Sequence, residues 1–232
     1  MPVEVLAVIP ARAGSKRLVG KNRRSVGGRT LVERAVEVAR AASTVTGVVV
    51  STDDDEIAVT VDGDGVVVRR RPAHLADDVA SSWDVVRDAI DQVGSPDVVV
   101  LLQPTSPLRR ALDVDRCVLE HLRHDDRPPV VSVTAVDHPP EWTFEVHDGR
   151  LAAPGGSGWA AVASRSQDLP VRWRLNGAVY VCSPAWLASG EPVVGPRTRA
   201  VEMDRRHSVD VDTEDDLRWA EFLVADESED PA

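Results

Sequence analysis

The stretch VEVLAVIPARAGSKRLVGKN, residues 3–22, decides the fold. Val3–Ile9 is a β-branched, apolar run, the pattern of a strand buried on both faces. Immediately after it comes a loop of Gly, Lys and Arg, ARAGSKRLVGKNRRSVGG, residues 11–28. Leu31, Ala35, Val36 and Val38–Ala39 then recur at helical spacing, and the helix ends near Ala42. Strand, loop and helix in this order make the first half of a right-handed β-α-β unit. Working outward, Gly47–Val50, Val66–Val68 and Val98–Leu102 repeat the strand pattern. Helices are expected after Ser51-Thr52-Asp53, after Ser81-Ser82, and over about Leu112–Leu122. The predicted class is α/β, a three-layer α/β/α arrangement around a mostly parallel sheet.

After Val130 the rhythm changes. VVSVTAV (130–136), TFEVHDGRLAA (143–153) and Ala178–Cys182 read as strands without long helices between them. A small β-rich insertion is therefore expected over about 138–170. Thr213 to Ala225 reads as a final amphipathic helix, with Thr213 as N-cap and Glu214, Asp215 and Asp216 in its first turn. One domain over 1–226 is expected, followed by a disordered acidic tail, ESEDPA, at 227–232.

Composition narrows the class. The 232 residues carry 27 Lys and Arg against 38 Asp and Glu, a net charge of −11, and 43% are hydrophobic. No apolar run approaches the roughly 18–20 residues of a membrane span. The opening MPVEVLAVIPARAG lacks the basic region and cleavage site of a secretory leader, so a cytoplasmic protein is expected. Two distant cysteines, Cys117 and Cys182, are too few for a disulfide scaffold or a thiolate zinc site.

The charge is unevenly placed. No acid lies between Val5 and Val32, a span that holds Arg12, Lys16, Arg17, Lys21, Arg23, Arg24 and Arg29. From Asp210 onward there are ten carboxylates and one basic residue, Arg218. A basic, Gly-containing segment without aromatics suits a compact anion and not a nucleic acid. Its place at the carboxyl end of a strand is where α/β sheets bind ligands. It matches neither G-x-x-x-x-G-K-[ST] nor G-x-G-x-x-G.

Two further constellations bear on chemistry. Asp210 and Asp212 form D-x-D in an extended segment, so both side chains face one way. Such a pair suits a hard divalent cation that keeps waters and phosphate oxygens, although D-x-D in an acidic chain is also common on solvated surfaces. Gln103, in QPTSPLR after the fourth strand, offers a donor and an acceptor to a base edge. Ser82 reads equally as a helix N-cap, and Arg71 as a surface arginine in a run of three.

IPARAGSKRLVGKN (9–22) resembles the opening signature of the acylneuraminate cytidylyltransferases, the CMP-sialic acid synthetases. STDDDEIA (51–58), RPAHLADDVASS (71–82), LLQPTSPLR (101–109), RWRLNGAVYV (172–181) and HSVDVDTEDDL (207–217) follow in the family's order. The resemblance implies a nucleotidyltransferase, Rossmann-like fold and transfer of CMP from CTP to the anomeric hydroxyl of a 2-keto acidic sugar. That acceptor would be sialic acid or a related nonulosonic acid, with pyrophosphate released and Mg²⁺ required. It assigns the triphosphate to Arg12, Ala13, Gly14, Ser15, Lys16 and Lys21, of which Arg12, Lys16 and Lys21 stabilise the leaving pyrophosphate. Asn22, Arg71, Ser82 and Gln103 are assigned to the rest of the nucleotide. Mg²⁺ falls to Asp210 and Asp212, with Asp210 as proton acceptor, and the acceptor sugar to Gln103, Arg165, Arg174 and Asn176. A homodimer formed through the insertion is also implied.

Two positions depart from the family pattern. Arg165 is displaced by one residue, with Ser166 where the arginine of R-Q-D-L-P stands. Glu141 occupies a position where several members carry a lysine that meets the acidic sugar. The competing readings are a nucleotidylyltransferase for another acidic sugar or a sugar phosphate, and a non-catalytic nucleotide-binding domain.

Overall fold

The computed structural model describes residues 2–15, 17–63, 65–77, 80–94, 96–153, 159, 162 and 165–229. The first apolar run forms β1 (Val5–Pro10), and its loop passes through a short antiparallel ribbon, β2 (Ser25–Val26) and β3 (Arg29–Thr30), into α1 (Leu31–Ala41). There follow β4 (Gly47–Thr52), α2 (Asp55–Val61), β5 (Val66–Arg70), α3 (Ser82–Val93), β6 (Val98–Leu101), α4 (Ala111–Leu122) and β7 (Val130–Ala135). The remainder is β8 (Glu145–His147), β9 (Arg150–Ala152), β10 (Trp173–Cys182), α5 (Pro184–Ser189), β11 (Arg199–Glu202) and α6 (Glu214–Glu229).

Seven strands make one sheet in the order β11-β7-β10-β6-β1-β4-β5. Every pairing is parallel except those of β10, which is antiparallel to both β6 and β7. Alternation along β1 sets the layers. Val5, Ala7 and Ile9 pack with Val32 and Val36 of α1, Ile57 of α2 and Val118 of α4. Leu6 and Val8 point the other way, against Val86 and Ala89 of α3 and Trp186 of α5. Helices thus cover both faces, as the near-continuous Val runs require. Side chains close the helix starts: Thr30 and Glu33 form a reciprocal cap on α1, Asp54 caps α2, and Ser81 with Asp84 caps α3.

A third apolar cluster matters for function. Leu217, Ala220 and Leu223 of α6 pack on Leu18, Val26, Leu31 and Val211. This pins the last helix, and the D-x-D segment before it, onto the loop after β1.

In β10 the register shifts between Leu175 and Tyr180. Gly177 sits in this bulge at φ +74°, a left-handed conformation that disfavours a side chain. Asn176 beside it is buried and holds the bulge. Its Oδ1 accepts from Ser132 Oγ (2.6 Å) and Ala178 N (3.2 Å), and its Nδ2 donates to Ser208 Oγ (2.9 Å).

Among the described residues the expected β-rich insertion reduces to one hairpin, β8–β9, separate from the main sheet. Its two-residue turn is Asp148-Gly149, both at positive φ (49° and 75°), the twist such turns favour. α6 runs to Glu229, past the expected end of order at 226. Arg206 draws in its last turns through Asp226 (2.8 Å), Glu227 (3.0 Å) and the Leu223 carbonyl (2.6 Å). Residues 230–232 lie outside the described residues.

Asn176→Ala should leave the Ala178 amide without its side-chain acceptor and take one partner each from the Ser132 and Ser208 hydroxyls, costing about 1–3 kcal/mol. Thermal denaturation should show this as a Tm lower by roughly 2–4 °C per kcal/mol. An unchanged Tm would show that other contacts hold the bulge.

Candidate active site

The loop after β1 is fixed by backbone acceptors and acids from neighbouring elements. Ala11 N donates to Ser51 O (2.9 Å), Ala13 N to Asp53 Oδ1 (2.8 Å), and the buried Asn22 amide to Arg12 O (2.9 Å). Arg12 in turn donates from Nη1 to Asp77 O (3.1 Å). A cleft of about 330 Å³ opens beside this loop. Gly14 and Ser15 line it, and a Cβ on Gly14 would meet no protein atom within 4 Å. Packing therefore does not demand glycine there, whereas close approach of a ligand to the backbone does.

The D-x-D segment forms the facing side. Val211 is fully buried and donates from its N–H to Thr105 O (2.7 Å), which turns Asp210 and Asp212 together onto the cleft. Lys21 Nζ reaches Asp212 Oδ1 at 2.9 Å, and Arg17 Nη1 reaches Asp212 Oδ2 at 2.7 Å. The Lys21 hydrogen bond holds the Asp212 carboxyl below its ordinary value. Among the described residues Asp210 has no such cation in contact. Partial desolvation, reinforced by the charge of Asp212, raises its carboxyl despite a hydrogen bond with Thr105.

The other wall is built by α3, the end of β5 and the turn after β6. Ser81, not Ser82, caps α3, so Ser82 lines the cleft without the capping duty. The run Arg69-Arg70-Arg71 splits. Arg69 pairs with Asp88 (2.9 Å) and Arg70 with Asp55 (2.5 Å), while Arg71 is buried and lines the cleft. It donates from Nη2 to Ser51 O (2.8 Å), and burial lowers its pKa. Gln103 and Asp210 approach the Gly177 bulge so closely that a Cβ there would lie 3.1 Å from Gln103 Oε1 and 3.8 Å from Asp210 Oδ2.

One cleft thus gathers Arg12, Gly14, Ser15, Lys21, Asn22, Arg71, Ser82, Gln103, Asp210 and Asp212. Four expected residues are not in it. The Ala13 amide is spent on Asp53, Asn176 is spent inside the β10 bulge, and Arg165 is exposed on the insertion. Arg174 lines an adjacent cleft that shares Asp210. Lys16 lies outside the described residues. Asp53, Asp77 and Thr105 join the site from within the motifs STDDDEIA, RPAHLADDVASS and LLQPTSPLR, but Asp77 meets Arg12 through its carbonyl, which leaves no mark in sequence.

Asp210 and Asp212 offer hard oxygen donors, and no group of three or more His, Cys, Asp or Glu suited to a metal occurs among the described residues. Two carboxylates, one of them without a contacting cation, fit a Mg²⁺ ion that takes its remaining ligands from water and phosphate.

The family described as Cytidylyltransferase matches residues 6–146. The CMP-N,N'-diacetyllegionaminic acid synthase of Legionella pneumophila is 32% identical over 235 residues, covering 96% of this chain and 97% of its own length. The N-acylneuraminate cytidylyltransferase of Streptococcus agalactiae is 30% identical over 215 residues, 91% of this chain and 51% of its own. The solved structure of CMP:2-keto-3-deoxy-manno-octonic acid synthetase complexed with CTP has the same fold. It matches with a TM-score of 0.71 at 22% identity, over 97% of this chain and 99% of that one.

The two aspartates should respond oppositely to neutralisation. Asp212 has a lowered pKa in the folded state, so its contribution is present above the ordinary carboxylate range and is lost as pH falls through the folded value. Asp210 has a raised one, so its ionised form opposes folding at neutral pH. Asp212→Asn should lower the Tm at pH 7 and Asp210→Asn raise it, and both differences should shrink on acidification. Shifts of the same sign at pH 7 would contradict this electrostatic picture.

Proposed function

The chain belongs to the cytidylyltransferase family, and from that premise we propose that it moves CMP from CTP to the anomeric hydroxyl of a 2-keto acidic sugar of the nonulosonic class. One observation carries this most directly: the basic loop and the late aspartate pair close on one cleft, Lys21 Nζ lying 2.9 Å from Asp212. The relatives named above act on acids of this class, and their similarity spans nearly the whole of this chain.

In the reaction the anomeric oxygen forms a bond to the α-phosphorus, and the bond from that phosphorus to the bridging oxygen of the β-phosphate breaks. Pyrophosphate leaves with that electron pair. The hydroxyl proton passes to the Asp210 carboxylate, which opens onto the cleft and is not engaged by Lys21 as Asp212 is. Arg12 and Lys21 neutralise the charge that grows on the leaving group, and Gly14 and Ser15 let the phosphates approach the backbone. Arg71, Ser82 and Gln103 hold the nucleoside end, Gln103 being positioned against the Gly177 bulge. Asp210 and Asp212 would hold Mg²⁺, which when bound supplies further neutralisation of phosphate charge. Arg174, at the neighbouring cleft, suits the acceptor carboxylate.

Assembly and location follow from the same reading. Val146, Leu151, Val171 and Trp173 are all exposed about the hairpin, and Phe144 stacks on Trp159 at 5.5 Å. This apolar surface supports a homodimer formed through the insertion. Two buried free thiols, Cys117 and Cys182, suit the reducing cytoplasm.

Pyrophosphate release should occur with CTP, Mg²⁺ and either N-acetylneuraminate or N,N'-diacetyllegionaminate, and should stop when the metal is chelated. Lys21→Met should lower kcat by roughly 10²–10³. Turnover of UTP or ATP with a sugar 1-phosphate, in place of CTP with a 2-keto acid, would replace this reading with that of a different nucleotidylyltransferase.

A further inference from the structure

Asp210 also lines a second cleft, of about 610 Å³, together with Arg174, Arg205, Asp137, Ser208 and Trp219. Its charges are not equally available. Arg206 also borders it but is committed to Asp226 and Glu227, and Asp216 caps α6 through Thr213. Arg174 makes no ion pair among the described residues, and its guanidinium reaches only the Leu175 carbonyl, at 3.4 Å. Arg205 is steadied by the chain just past β7. It donates to Val136 O at 2.7 Å and pairs with Asp137 at 3.2 Å, a pair in which both side chains are 59% exposed. The remaining wall is apolar: Trp219 stacks on Phe222 at 5.3 Å with 14° between the rings, beside the buried Leu223.

A 2-keto acid entering here brings a carboxylate beside Asp210, and that carboxylate needs a cation on this side of the cleft. Glu141 adds no cation, being itself paired with Arg172 at 3.4 Å. Positive charge must come from the cleft itself, and the two exposed guanidinium groups supply it in a planar form suited to a carboxylate. We propose that Arg205 is a specificity-determining residue. It exchanges Asp137 for the acceptor's carboxylate and shares that carboxylate with Arg174, while the Trp219 ring packs against the acceptor's N-acyl group. This inference rests on the cytidylyl-transfer reading above.

The test is pyrophosphate-release kinetics with each substrate varied in turn, using N-acetylneuraminate and, as an acceptor without an N-acyl group, 3-deoxy-manno-octulosonate. Arg205→Ala should raise the acceptor KM roughly ten- to a hundred-fold while the KM for CTP stays within about twofold. Arg205→Lys should recover part of the loss, because charge returns without the planar fork. Trp219→Ala should raise the KM for the N-acylated acceptor and spare the other. An acceptor KM in Arg205→Ala within about twofold of the parent overturns the assignment. Equal rises for acceptor and CTP overturn it too, since they mark a general structural role. A parent protein inactive with CTP and every 2-keto acid sugar overturns the transfer reading itself, and this inference with it.

Discussion

Everything at the site depends on one carboxylate shared by two cations from the other end of the chain. Asp212 accepts from Arg17 and Lys21, residues that precede it by 195 and 191 positions. The contact is electrostatic, but apolar packing makes it possible. Leu18 and Val26 of the loop share a cluster with Val211 and with Leu217, Ala220 and Leu223 of α6. Without that cluster, a segment with seven basic residues and no acid would repel itself into solvent. With it, the cations are held against Asp212, and Lys21 is drawn out of solvent, keeping only 15% of its side-chain exposure, while Arg17 stays exposed. Charges held in this way act on a ligand without first reorganising, which is what makes them effective in catalysis.

The second constraint is the reversed strand. β10 runs antiparallel between two strands that are parallel to the rest, and its bulge brings Gly177 against Gln103 and Asp210. Asn176 locks the bulge from inside, and Arg109 of the QPTSPLR turn ties it from the side by donating to Ala178 O at 2.6 Å. That arginine is fully buried, and desolvation lowers its pKa to about 9. Such a cost is tolerated because the turn that carries Gln103 and the strand that carries Gly177 must keep a fixed separation. The bulge therefore sets where one cleft ends and the next begins.

Much of this was legible in the sequence, for definite reasons. Strands β1, β4 and β6 announced themselves because burial on both faces demands unbroken apolar runs, and the helices because their caps use side chains with an unmistakable pattern. The joint facing of Asp210 and Asp212 followed from strand periodicity alone. Where sequence reading stopped, the determinant was backbone or tertiary. Asn176 stands in a motif and looks like a ligand contact, yet its amide closes a bulge, which nothing in the spelling RWRLNG distinguishes. Arg71 looked no different from Arg69 and Arg70, and only tertiary contacts, Arg69 with Asp88 and Arg71 with Ser51 of β4, decide which of them turns inward. The acceptors for Arg12 and Arg71 are carbonyls, of Asp77 and Ser51, and a carbonyl belongs to every residue type.

Asp210 also bears on whether the fold has kept its chemistry. A non-catalytic nucleotide-binding domain would need cations for phosphate and surfaces for the base, and Lys21, Arg12 and Gln103 would suffice. It would have no use for a carboxylate that opens onto a cleft, is raised by desolvation and by a neighbouring negative charge, and meets no cation in contact among the described residues. Such a group opposes folding in its ionised form, and any mutation to Asn would relieve the penalty. Asp212 has a structural partner in Lys21 and could be explained by stability alone, whereas among the described residues Asp210 is hydrogen-bonded with Thr105 and feels Lys21 only at a distance. An acid that costs stability and opens where two clefts meet fits the proton acceptor of the proposed transfer.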